Sequence, residues 1–380
     1  MKKKLHCGIF ISEDGFGHMV RQSAVINELL KKYPGIVITV FNSSTLFYIK
    51  EKFENKINYV NIFNNLKTVK KKDGSLNIKE TNKYLKKWEL NKNIWYKKVS
   101  KYFPSFDFII SDCVPEAFDL SSKYDILSLG ISHFTWDWFY EHVCKFSKKK
   151  TFNIIESLNK CDHFLFPPFT PKKILERYKG KIDLINFIVG DFENEKRNNK
   201  RNDNYKKCLI MDNGTRSLST MINKTIPYLL NEKKIEFTVC IDHLEEKSKN
   251  YVYESKNFIP VSGLKNMHSK LIDTDIVIAR GGFNTLSECL VLKKPALLFD
   301  EKNNPEVGEN LKALCVDNNF AKLMRKKDWG KNLIKKLRKF VDYEARVVYR
   351  NLEKAKFKSN GAKQVVDKIN HLLNKRGIHG

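Results

Sequence analysis

DTDIVIARGGFNTLSECLVLKKPALLFDEKNNPEVGENLKAL, residues 273–314, decides the fold. DIVIA (275–279) is a short apolar run of strand type. It passes through RGGFNT into a helix that begins near Asn284 to Ser287, and PALLF (295–299) follows as a second strand. Strand, glycine turn, helix and strand make one parallel α/β unit. Gly281 and Gly282 let backbone N–H groups close around a diphosphate beside Arg280, Thr285 adds a hydroxyl, and the helix start adds its dipole. Glu288, one turn into the helix, can accept two ribose hydroxyls. The loop after PALLF carries Asp300, Glu301, Asn303, Asn304, Glu306, Glu309 and Asn310 toward the same edge.

The alternation of apolar runs and amphipathic stretches extends along the chain. LHCGIFIS (5–12), IVITVFN (36–42), INYVNI (57–62), FDFIIS (106–111), ILSLGIS (126–132), HFLFP (163–167) and LINFIVG (184–190) read as strands. Helices are expected at 18–33 and 78–103. DFENEKRNNKRNDNYKK (191–207) is nearly devoid of apolar residues and reads as a linker, after which KCLIMD (207–212), IEFTVCI (235–241) and NFIPV (257–261) restart the pattern. The expected organisation is an N-terminal domain over 1–190, a linker over 191–206 and a C-terminal domain over 207–380. The Lys-rich helical tail is expected to pack back on the first domain. At 380 residues either half can bury a core.

Composition narrows the function classes. Hydrophobic residues make up 42% and aromatics 12%, so most of the chain folds. The net charge of +27 favours anionic partners, but the lysines are dispersed, and no zinc-finger spacing, basic heptad or aromatic RNA-binding motif accompanies them. A solvated basic surface is expected, with no nucleic-acid partner. Eight scattered cysteines without a CxxC pair fit reduced thiols in a cytoplasmic setting. The apolar run Leu5 to Ile11 reads as a first strand rather than a leader, and no run reaches the roughly 18 apolar residues of a membrane span. Membrane contact is therefore expected to be peripheral, on the inner membrane face.

Two clusters in the first half suggest chemistry. SEDGFGH (12–18) follows the first strand and enters a helix, so Gly15 and Gly17 allow close backbone approach and His18 stands at the first turn. A histidine there can act as general base, or it can serve only as a cap or packing group. Arg21, one turn on, can meet a phosphate or carboxylate or remain solvated. SDCVPEAFD (111–119) and ISHFTWDWFYEH (131–142) bring Asp112, Glu116, His133, Asp137 and Glu141 together with Phe134, Trp136 and Trp138. Rings beside carboxylates suit a sugar pocket, and they equally suit an aromatic core with satisfied polar tips.

RGGFNTLSE, KKPALLF and PEVGEN, preceded by NFIPVSGLKNMHSKLIDTD (257–275), resemble the C-terminal domain of GT-B glycosyltransferases of the peptidoglycan N-acetylglucosaminyltransferase and galactolipid synthase type. GFGHMVR is similar to the glycine-histidine loop of the same fold. Residues 111–140 resemble the glycosyltransferase-like part of arabinokinases. The resemblance implies two Rossmann-like domains whose parallel sheets face across a cleft. It implies diphosphate at Gly281, Gly282 and Thr285, ribose at Glu288 and sugar at Glu306 and Asn310. It also places Asn213, Gly214 and Thr215 (in CLIMDNGTRS, 208–217) on phosphate and makes His18 the base, with Asp112 and His133 in the catalytic set. Gly15, Gly17, Arg21, Trp136 and Asp137 fall on the acceptor or phosphate side.

The implied activity is metal-independent transfer of a sugar, with UDP as the expected nucleotide, to a hydroxyl of a glycan, lipid-linked or small-molecule acceptor. No cofactor beyond the nucleotide sugar is expected. No DxD of the metal-dependent kind is found, and DTD (273–275) reads as the start of a strand. GFGHMVR is also similar to the hydrolase of pseudaminic acid synthesis, so a nucleotide-sugar hydrolase or epimerase stays open, as does a non-catalytic binding protein.

Overall fold

The computed structural model describes residues 4–64, 66–71, 75–144, 148–190, 206–211, 219–263 and 269–378. The chain divides into two compact units. The first holds residues 1–69, 77–190 and 358–380, and the second holds 70–76 and 191–357. The linker read at 191–206 lies outside the described residues except for Lys206, which opens a strand.

The first unit is built on a seven-stranded sheet, ordered β3-β2-β1-β4-β5-β6-β7. Its strands are β1 (His6–Ile11), β2 (Val37–Asn42), β3 (Asn58–Asn61), β4 (Phe108–Asp112), β5 (Leu127–Ile131), β6 (His163–Phe166) and β7 (Ile182–Leu184). Every pairing is parallel. Helices cover both faces, so the central strands read as unbroken apolar runs. Ile9, Ile11, Ile38, Val40, Phe108 and Ile110 pack under Met19, Val25, Ile26 and Leu29 of the helix Phe16–Lys32. On the other side Phe10 stacks on Phe41 at 4.4 Å between ring centroids.

The second unit repeats the plan with a six-stranded sheet ordered β10-β9-β8-β11-β12-β13. Its strands are β8 (Lys206–Met211), β9 (Ile235–Cys240), β10 (Phe258–Val261), β11 (Ile276–Arg280), β12 (Ala296–Phe299) and β13 (Lys322–Met324), again all parallel. In both sheets the strand order reverses between the first and fourth strands of the unit, where a doubly wound fold opens its ligand crevice. The sequence reading misses β13, whose three residues are too short for periodicity to register.

LINFIVG departs from expectation. The strand there is Ile182–Leu184, whereas Ile185, Phe187 and Ile188 are buried outside the sheet. Ile188 forms an isolated antiparallel bridge with Asn360, at the start of the helix Gly361–Lys375. That helix presents Ala362, Val365, Val366, Ile369 and Leu373 to the first unit's core, at the spacing of one helical face. Asn186 N donates to Gln364 Oε1 at 2.6 Å, and Tyr33 Oη donates to Asn370 Oδ1 at 3.1 Å. A Cβ on Gly361 would lie 2.2 Å from Asn186 O, so only glycine allows the helix to start this close to the preceding backbone. Replacing Ile369 with Ala should destabilise the first unit by about 2–5 kcal/mol, the cost of a buried large-to-small change. A urea midpoint shift with unchanged m-value measures it.

Candidate active site

The first switch point gathers its polar groups around Asp112, the last residue of β4 and fully buried. Asp112 Oδ1 accepts from His18 Nδ1 at 2.7 Å and from Arg21 Nη2 at 2.7 Å. Its Oδ2 accepts from Arg21 Nε at 2.9 Å and from Gln22 Nε2 at 2.8 Å. His18, Arg21 and Gln22 share one face of the first helical turns, so the i, i+3, i+4 spacing delivers all of them to a single carboxylate. Gly15 starts that helix at φ 87, a left-handed conformation suited to glycine, and Gly17 lies in its first turn.

Burial alone would raise the Asp112 pKa. The charges of Arg21 and His18 and their hydrogen bonds outweigh it, and the carboxyl is held well below the usual carboxylate range. An ionised Asp112 fixes the proton of His18 on Nδ1 and leaves Nε2 as the unprotonated ring nitrogen. Arg21 Nη2 is also 3.0 Å from His18 Nδ1, but both atoms donate to Asp112, which is their shared acceptor. Arg21 Nη1 lies 3.2 Å from His133 Nδ1 and donates to it. His18, Asp112 and His133 thus form one buried constellation knotted by Arg21, which is neither a solvated side chain nor a free anion ligand.

Cys113 follows Asp112 at φ 59, turning the chain sharply after β4. Its sulfur comes within 4.8 Å of donor atoms of His18 and Asp112. Burial and the Asp112 charge push the thiol well up, and the Asp112 oxygens are already engaged, so this set suits a guanidinium better than a metal cation. Glu13 and Asp14, which the sequence reading passes over, shape the rest of the loop. Glu13 accepts from Ser43 N and Ser44 N at 3.0 and 2.8 Å, and Asp14 Oδ1 accepts from Thr68 N at 3.0 Å.

The aromatic cluster is core rather than platform. Trp136 is 1% exposed, and its Nε1 donates to Cys113 O at 2.9 Å. Asp137 is fully buried and pairs with Arg177, which also holds Glu141 at 2.9 Å. The structure places Trp136 and Asp137 in buried positions, Trp136 against Cys113 O and Asp137 against Arg177. Glu116 is likewise buried and accepts from Trp88 Nε1 at 2.8 Å.

In the second unit β11 ends at Arg280, and Gly282 caps the helix Phe283–Val291. A Cβ on Gly281 would crowd Leu311 and Val307 at 3.0–3.2 Å, and one on Gly282 would lie 2.8 Å from Arg280 Nη2. Neither residue has positive φ, so glycine's part here is the close approach it allows to Leu311, Val307 and the Arg280 guanidinium. Asn310 Nδ2 donates to Gly281 O at 3.0 Å, and Glu306 Oε1 accepts from Phe283 N at 3.3 Å. Asn304 caps the helix Pro305–Leu311 through Glu306 N at 3.1 Å, so the loop after β12 braces the glycine turn. Thr285 and Glu288 are buried in the helix that follows. The candidates Asn213, Gly214 and Thr215 lie outside the described residues.

Glu301 is the feature of this edge that spacing could not single out from its polar neighbours. It is buried and forms ion pairs with both Arg280 and Lys70. Burial would raise its pKa, and Arg280 and Lys70 lower it below the ordinary value.

Residues 213–369 match the glycosyltransferase family 28 C-terminal domain. The second half of the chain is thus similar to that domain. Within the chain, 161 residues are 29% identical to the UDP-N-acetylglucosamine--N-acetylmuramyl-(pentapeptide) pyrophosphoryl-undecaprenol N-acetylglucosamine transferase of Clostridium botulinum (strain Kyoto / Type A2). That match takes in 41% of this chain and 44% of the relative, so the chain spans less than half the length of the curated relative it matches. The whole chain has the GT-B fold. The calicheamicin glycosyltransferase CalG4 is similar at TM-score 0.70 and 12% identity, over 98% of this chain and 99% of that one. MurG of Acinetobacter baumannii is similar at TM-score 0.60 and 13% identity, over 97% and 99%. The matched stretch contains the glycine turn, Glu288, Glu301 and the bracing Asn310.

Burial pushes the Glu116 pKa up to about 7, against a lowering contribution from Trp88. The folded state then holds this proton more tightly than the unfolded chain, and stability falls as pH rises from about 4.5 through about 7, by about 3 kcal/mol over that window. Glu116→Gln should flatten this part of the profile, as read from urea midpoints across pH.

Proposed function

We propose that the protein is a glycosyltransferase that moves a sugar from a nucleotide diphosphate, UDP in the first instance, to an acceptor hydroxyl without a bound metal. The observation that carries the reading is the His18–Asp112 pair at the switch point of the first sheet, in a chain whose residues 213–369 match the glycosyltransferase family 28 C-terminal domain. The UDP assignment rests on the donor named for the Clostridium relative.

In this mechanism His18 Nε2 takes the proton of the acceptor hydroxyl as the oxygen attacks the sugar carbon. The proton on Nδ1 stays with His18, and ionised Asp112 stabilises the imidazolium that forms. Arg21 and Gln22 hold Asp112 in place, which fixes the ring without touching substrate. The departing diphosphate is met by backbone N–H groups of the Gly281–Gly282 turn and by the start of the helix Phe283–Val291. Glu288 binds the ribose hydroxyls.

The acceptor side also suits an anionic lipid surface. On the helix Ile78–Val99, Leu90 is 79% and Ile94 54% exposed, one turn apart, among exposed Lys83, Lys86, Lys87, Lys97 and Lys98. Apolar residues within a ring of lysines favour the interface of an acidic membrane. No helix among the described residues is long and apolar enough to cross one.

His18→Ala should lower turnover of a UDP-sugar by roughly 10²–10⁴-fold and leave UDP affinity within about twofold. Glu288→Ala should weaken UDP binding by about 1–3 kcal/mol. Unchanged turnover in the His18 variant removes the base from the mechanism, and release of free sugar without acceptor at the transfer rate identifies a hydrolase instead. In co-sedimentation, the protein should bind vesicles rich in phosphatidylglycerol over pure phosphatidylcholine, and changing Leu90 and Ile94 to Glu together should abolish that binding.

A further inference from the structure

We infer that the second unit carries a further anion site, at the edge of its sheet opposite the glycine turn, which takes a small ligand with more than one phosphate group, of the pyrophosphate class. Strands β8 and β9 start side by side, with Lys206 in register with Ile235. Every pairing in this sheet is parallel, so the strand starts lie a strand's length, roughly 17–20 Å, from the edge where β11 enters the glycine turn. A cavity of about 600 Å³ opens at these starts, between the turn 231–234 and the helical stretch 338–346. That volume is in the range of small-ligand pockets.

The lining is basic. Lys206, Lys233, Lys234, Arg338 and Arg346 face the cavity, with Glu232 and Asp342 as its carboxylates. Glu232 is buried and already engaged: Oε1 accepts from Lys234 N at 3.0 Å, and Oε2 accepts from Arg338 Nε at 3.0 Å. Asp342 is left beside Lys206, Lys233, Lys234 and Arg346, and no ion pair holds any of these four cations among the described residues. A concave wall of one sign, backed by an apolar core, concentrates its field on an entering anion.

Both walls are fixed before a ligand arrives. Glu232 N donates to Leu229 O at 3.0 Å, and Asn257 Nδ2 donates to Leu229 O at 2.9 Å and to Glu232 O at 3.0 Å, which holds the turn rigid. On the helical side Gly330 N donates to Thr225 Oγ1 at 3.1 Å, and Leu333, Leu337 and Phe340 are buried. Arg338, Val341, Asp342 and Arg346 then share the face toward the cavity, at i, i+3, i+4 and i+8. Glu232 acts as a positioning residue, since it holds Arg338 by Nε and leaves the Nη groups, whose fork matches phosphate oxygens. Lysines stand on the strand and turn side and guanidinium groups on the helical side. A ligand charged at both ends meets both walls, which a single carboxylate does not.

Isothermal titration of the full chain with inorganic pyrophosphate, at fixed ionic strength and with UDP present at saturation to fill the donor site, tests this. One equivalent should bind. Lys206→Ala and Arg346→Ala together should raise its Kd at least about tenfold, the loss of charge-assisted contacts, and leave the Kd for UDP unchanged. Both side chains are exposed, so the thermal midpoint should stay at the wild-type value. Lys206→Arg with Arg346→Lys, which keeps both charges, should bind within about threefold of wild type. Co-sedimentation of the alanine double variant with vesicles containing phosphatidic acid names the source of the phosphate: reduced sedimentation assigns a lipid headgroup, and unchanged sedimentation assigns a free ligand. No pyrophosphate binding beside UDP, or binding that the double alanine substitution leaves unchanged, overturns the inference and leaves the proposed sugar transfer untouched.

Discussion

A carboxylate with no exposure to water must find its compensation inside the protein, and Asp112 finds it in Arg21, Gln22 and His18. Removing an ion of this size from water costs several kcal/mol, and only dense hydrogen bonding with a full counter-charge offsets it. The consequence for the fold is rigidity where it matters. The helix Phe16–Lys32 and the end of β4 cannot shift independently, because one carboxylate binds three side chains of the first helical turns. The consequence for chemistry is a histidine whose tautomer is set by its surroundings. The dyad is a by-product of solving a burial problem at the strand end where a doubly wound sheet opens to ligands.

The second unit handles its site differently. Its glycine turn is held by backbone groups: Asn310 occupies Gly281 O and Glu306 accepts from Phe283 N. Both side chains come from the helix Pro305–Leu311, which is itself set by the Asn304 cap and a proline at its first position. Residues that the family resemblance assigns to the sugar are thus already engaged in shaping the turn. An Asn amide nitrogen committed to a backbone carbonyl still leaves its oxygen, so bracing and ligand contact are compatible in one residue.

The aromatic stretch at 133–142 shows how one composition serves two ends. Phe134, Trp136, Phe139 and Tyr140 pack ring against ring within 5.3–6.0 Å and are almost wholly buried. Their polar tips turn inward, as Trp136 Nε1 does to Cys113 O, and the carboxylates among them are held by Arg177. His133 is the member of the stretch that joins the constellation around Arg21. The cluster forms the rigid wall behind the dyad, while the apolar side chains left to solvent on this unit include Leu90 and Ile94 of the helix Ile78–Val99.

By itself the sequence determined the local elements and pointed to two strand edges rich in glycine and polar groups. Alternating apolar runs are dictated by parallel strands covered on both faces, and a strand running into paired glycines can hardly end otherwise than in a close turn at a helix start. His18, Arg21 and Gln22 stand on one helical face by spacing alone. What that face would meet was not legible, since Asp112 lies 90 to 94 residues away in sequence. Tertiary structure decided that Arg21 is a buried clamp, that Trp136 and Asp137 are core, and that Ile185 to Ile188 pack on the C-terminal helix instead of extending a strand. It alone brought Lys70 to Glu301, a pairing of residues 231 positions apart. The physical reason is common to all of these: propensity and periodicity act over a few residues, whereas the neutralisation of a buried charge and the filling of a core are settled by whichever distant side chain the fold brings within reach.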